Sequence, residues 1–147
     1  MGFADAYRNQ VALLIRALPS VATEECFAMK GGTAINLFIR DLPRLSVDID
    51  LTYLPVQDRA TSLAAIDAAM LRVAERITEA LRSTRVTPSR SRENVITKLV
   101  VRSDSAQIKI EVTPVLRGCV LEPNSRPVSS GVEDEFGFAE MRIVSFP

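Results

Sequence analysis

Histidine is absent from this chain of 147 residues, which removes imidazole general-base catalysis and the commonest transition-metal ligand. Acid–base or metal chemistry must then fall to carboxylates. Cysteine is scarce: Cys26 and Cys119 are the two present. They lie far apart without CxxC spacing, which argues against a zinc site and against a disulfide-rich secreted scaffold. A reducing cytoplasm is the expected compartment. Net charge is missing too, with eighteen basic residues against eighteen acidic ones. The whole-molecule field therefore offers no general attraction to nucleic acid or anionic membrane, and any such contact must be local. No run approaches the roughly 18 apolar residues of a membrane span. The N-terminus also lacks the basic-then-apolar order of an export signal. Hydrophobic residues make up 47% of the chain, enough to bury the core of one domain of ordinary size.

Along the chain, Ala6, Val11, Leu14, Ile15 and Leu18 recur at roughly helical spacing, so a first helix is expected from Phe3 to Leu18, closed by Pro19. Residues Cys26 to Met29 are short and apolar. Gly31-Gly32 breaks them, and Thr33 is placed to cap a helix over 34–40. Between Leu45 and Leu54 the sequence alternates strictly, with Val47, Ile49 and Leu51 on one face and Ser46, Asp48, Asp50 and Thr52 on the other, the pattern of a half-buried strand. From Gln57 to Leu81, the spacing of Leu63, Ile66, Met70, Val73, Ile77 and Leu81 by three or four predicts a long amphipathic helix. Arg85–Thr87, Val95–Arg102 and Gln107–Thr113 read as strands, with 103–106 as a hairpin turn. The stretch from Pro123 to Asp134 reads as a loop, and Glu140–Phe146 as a last strand.

Two positions apart on a strand, Asp48 and Asp50 project from the same face about 6–7 Å apart. Holding both ionised against a core without a counter-charge costs free energy, and a divalent cation offsets that cost. Hard carboxylate oxygens suit Mg²⁺ or Mn²⁺. Just upstream, the Lys30-Gly31-Gly32-Thr33 turn opening a helix would point backbone N–H groups at an anion. Glu111, on the alternating strand QIKIEVT, would complete a set of three carboxylates if that strand pairs beside the aspartate strand. Such a set holds metal and orients or deprotonates an attacking hydroxyl. The bland alternatives are a solvated face for the aspartates, a plain turn for the glycines, and a surface glutamate beside a surface lysine.

The segment MKGGTAINLFIRDLPRLSVDIDLTY, residues 29–53, resembles the signature of AbiEii-type nucleotidyltransferase toxins, within the DNA polymerase beta-like nucleotidyltransferase superfamily. The resemblance implies an α+β fold in which a mixed or mostly antiparallel sheet is flanked by helices. It implies that Gly31, Gly32 and Thr33 contact the triphosphate, with Lys30, Arg44 and Ser46 assisting. It makes Asp48, Asp50 and Glu111 the catalytic and metal-binding acids. The implied reaction is transfer of NMP from an NTP to an acceptor hydroxyl, with tRNA as the suggested kind of acceptor and a cognate antitoxin as partner. Members of the family usually continue past a strand like MRIVSF into a helical region carrying a lysine and an Arg-Asp pair. The expected domain is therefore residues 1–147 without that region.

Two rival readings follow from the same residues. The fold can serve as a non-catalytic module that binds a partner such as an antitoxin. Paired acids beside phosphates also occur in metal-dependent nucleases and nucleotide-sugar transferases, although the upstream glycine turn favours nucleotidyl transfer. A calcium loop is excluded, because no run of oxygen ligands spaced through a twelve-residue loop surrounds Asp48.

Overall fold

A computed structural model describes residues 3–30, 48–113, 124–127 and 140–143. Helix α1 (Phe3–Ala22) buries Val11, Leu14, Leu18 and Val21, a stripe at intervals of three and four. The expected stop at Pro19 is not observed, and the helix runs one turn further. A proline near a helix end removes one hydrogen bond, and Val21, fully buried on the same stripe as Leu14 and Leu18, holds the last turn in place. Helix α2 (Arg59–Ala80) matches the predicted amphipathic segment and buries Ile66, Met70, Val73 and Ile77. Asp58 caps its N-terminus, accepting hydrogen bonds from the N–H and hydroxyl of Thr61, each at 2.8 Å. That backbone N–H bond holds the Asp58 carboxyl below its usual range.

The described strands are β1 (Phe27–Lys30), β2 (Asp48–Tyr53), β3 (Arg85–Arg90), β4 (Ile96–Arg102), β5 (Gln107–Thr113), β6 (Asn124–Pro127) and β7 (Glu140–Ile143). They form one sheet in the order β3-β4-β5-β2-β1-β7-β6. Pairs β2–β5 and β1–β7 are parallel and the rest antiparallel, so the sheet is mixed and the fold α+β, as expected. Two strands, β3 and β6, depart from the sequence reading. Strand β3 extends through Pro88, which is tolerated because β3 lies at an edge, where a proline's missing N–H breaks no inner ladder. Residues 124–127, expected as loop, form β6. Their pattern is polar and carries no strand periodicity; pairing with β7 makes them a strand. Of the expected last strand, Glu140–Ile143 is observed and 144–146 lies outside the described residues.

One face of the sheet carries the core. Register aligns Leu99, Ile110 and Ile49 across three strands, with Val112, Leu51 and Met29 in the next inward row. All six are buried together with the apolar stripes of α1 and α2. Each such side chain contributes about 1.5–3 kcal/mol by leaving water. Phe27 and Tyr53 meet edge to face at 6.3 Å at one end of this layer. The opposite face carries the polar side chains of β2, β4 and β5.

Candidate active site

On β2, the strict alternation predicted from LSVDIDLTYL holds from Asp48 to Leu51: Ile49 and Leu51 are buried, Asp48 is exposed and Asp50 half-buried. It fails at Thr52, expected on the open polar face but only 2% exposed. Ala28, its partner across β1, is fully buried as well. The second face is therefore covered at this end of β1 and β2 and accessible at the aspartate end.

Strand β5 pairs beside β2, as the three-carboxylate reading requires. Asp50 is in register with Glu111, and Asp48 with Lys109. The acids thus occupy neighbouring positions on one sheet face, with adjacent backbones about 4.8 Å apart. A counter-charge lies close to Glu111. Lys98 of β4 is in register with Glu111, its Nζ 3.9 Å from Oε1, and Lys30 of β1 stands opposite Asp50. By register, the positions of Lys30, Asp50, Glu111 and Lys98 form one row across four strands. Lys98 thus shares in balancing the charge of Glu111.

The donor set suits a hard cation. Among the described residues, no three His, Cys, Asp or Glu side chains are grouped closely enough to hold a metal ion. Mg²⁺, however, commonly takes only one or two carboxylates and completes its shell with water and substrate phosphates. Asp48 and Asp50 fit that requirement as a pair.

Over residues 12–147 the sequence matches the family described as nucleotidyl transferase AbiEii toxin, Type IV TA system. The chain belongs to this family. No curated protein and no solved structure matches it. The AbiEii match spans the acids of β2 and β5 and the Gly31-Gly32 pair that lies between β1 and β2 in the sequence. Of the predicted phosphate-contacting positions, Lys30 ends β1. Gly31, Gly32, Thr33, Arg44 and Ser46, and the helix expected over 34–40, lie outside the described residues. No described helix of this AbiEii chain is long and apolar enough to cross a membrane.

At the other end of the sheet lies a cluster that sequence reasoning missed. Glu24, in the turn between α1 and β1, is 6% exposed. It accepts hydrogen bonds from Arg72 at 3.0 and 2.7 Å and another from Arg76, both on α2. The Arg72 guanidinium is the main reason its carboxyl sits below the usual range; burial opposes that shift and Arg76 adds to it. The spacing of Arg72 and Arg76, four apart on one helical face, is the one signal the sequence offered. The buried Tyr53 hydroxyl donates to Gln57 at 2.8 Å, and burial raises its pKa.

Proposed function

We propose that this AbiEii-family chain is a metal-dependent nucleotidyltransferase that moves NMP from an NTP to an acceptor hydroxyl, and that this transfer is its toxic activity. The reading is carried by the register that sets Asp50 beside Glu111 with Asp48 one pleat away on the same face, in a chain of a nucleotidyl transferase family. Asp48 and Asp50 would hold Mg²⁺ or Mn²⁺, which when bound supplies positive charge for the triphosphate. Glu111 orients the acceptor hydroxyl and takes its proton. The hydroxyl oxygen forms the new bond to the α-phosphorus as the bond to the bridging oxygen breaks, and pyrophosphate leaves. Lys30, Gly31, Gly32 and Thr33, with Arg44 and Ser46, contact the phosphates. The acceptor would be a polynucleotide hydroxyl such as that of tRNA, and the antitoxin of the Type IV pair is the expected protein partner.

The Lys98 counter-charge beside Glu111 favours one second reading, a non-catalytic module that binds its partner through the same fold. Isothermal titration separates the two. Binding of Mg²⁺ with an NTP that disappears in Asp48→Ala supports the enzyme; no binding by the unmodified chain supports the module. In Glu111→Gln, nucleotide binding should persist while transfer to labelled acceptor falls about 100-fold or more.

A further inference from the structure

Arg85 opens β3 and Arg102 closes β4, and their register sets them directly opposite each other. Like charges facing across a ladder weaken strand pairing. A third guanidinium, Arg82, follows α2, and all three line a cleft of about 360 Å³ together with Ser83, Thr84 and Asp104. Arg102 Nε donates to Gln107 at 3.0 Å, which orients the group without neutralising it. Among the described residues, no carboxylate forms an ion pair with Arg82, Arg85 or Arg102. Three guanidiniums and one carboxylate leave the cleft positive.

Its position matters as much as its charge. Arg85 and Arg102 alternate with Val86 and Val101, which pack on the core side, so they share the open face with Asp48 and Asp50. Arg102 is in register with Gln107, two residues before the Lys109 that pairs with Asp48. From strand spacing and rise, the cleft lies roughly 12–16 Å from Asp48, about four phosphates along a stacked strand.

We propose that this cleft grips a backbone phosphodiester of a polynucleotide strand whose terminal hydroxyl is presented at Asp48 and Asp50. The inference rests on the nucleotidyl-transfer reading above for the role of the strand's end. Planar guanidiniums bind phosphate oxygens two at a time, and the hydroxyls of Ser83 and Thr84 add neutral donors. A bound phosphate would also relieve the repulsion between Arg85 and Arg102.

Fluorescence anisotropy of a labelled single-stranded RNA, titrated with the full chain over a series of KCl concentrations, tests this. The double variant Arg85→Gln/Arg102→Gln should bind at least about tenfold more weakly. The slope of log affinity against log salt should flatten by about 1.4 for two lost contacts on a single strand. Arg82→Gln should give a smaller loss. Asp48→Ala should leave strand binding intact, and the double variant should still bind Mg²⁺ with NTP, so that failure of the cleft and failure of the carboxylate reading are told apart. Without the strand, the double variant should unfold at the same or a higher temperature, which a purely structural role for the arginines would not allow. Unchanged affinity and slope in the double variant would overturn the proposal. So would no strand binding by the unmodified chain, full displacement by inorganic phosphate at equimolar concentration with the strand, or preference for an acidic peptide over RNA.

Discussion

Glu24 shows how far a single carboxylate can organise this protein. It joins the exit of α1 to two turns of α2 through Arg72 and Arg76. Removing its charge in Glu24→Gln should cost about 1.5–3 kcal/mol, the range for hydrogen bonds to charged groups, as measured by urea denaturation at neutral pH. The pH dependence follows from the direction of the shift. Folding lowers the Glu24 pKa from 4.5, so its stabilisation is fully present above that value and is lost as pH falls through the lower folded value. The gap in stability between the parent chain and Glu24→Gln should therefore narrow below about pH 4.5; a gap that stayed constant into acid would contradict this account. Beyond the spacing of Arg72 and Arg76 this cluster was not legible, because Glu24 is about fifty residues from both and only the fold joins them. The aspartate pair was legible, since period-two alternation alone puts two acids on one face.

Among the elements, Asp67 of α2 ties both strands of the β3–β4 hairpin to the helix, and Arg59 of α2 pairs with Glu93 in the hairpin turn. Asp67 Oδ1 accepts from Ile96 N–H at 2.9 Å and from Arg90 at 3.0 Å. Between these strands Asn94 turns the chain at a φ of 62°, a conformation that favours Asn or Gly. Asp67→Ala should speed hydrogen exchange in β3 and β4 while leaving α1 protected. Asn94→Gly should be tolerated, and Asn94→Val should lower the unfolding temperature. On β5, Ile110 lies in register with Leu99 and Ile49 and is fully buried, so Ile110→Ala should cost about 2–5 kcal/mol. Elements whose own pattern met the core were legible: α2, β4 and β5 lie within a residue or two of their expected bounds. The last turn of α1, the length of β3 and all of β6 were not, because burial of Val21, an edge position and pairing with β7 determine them, and none of these is a local property.

For the molecule as a whole, zero net charge conceals a division on the open sheet face, where acids on β2 and β5 adjoin arginines at the β3–β4 end. Occupancy of that face should register globally. If the carboxylates bind Mg²⁺ with NTP, a hundredfold excess over Kd adds about 2.7 kcal/mol to stability. A thermal-shift assay should show a rise in the parent chain, its reversal by chelator, and no rise in Asp48→Ala/Asp50→Ala. The outer strands carry a further implication. Pro88 sits in β3 and Pro127 in β6, the two margins of the described sheet. Each removes a donor that a neighbouring molecule would need in order to dock as an additional strand. Replacing Pro88 with Val should therefore leave the fold intact yet make concentrated solutions scatter light and bind amyloid dyes.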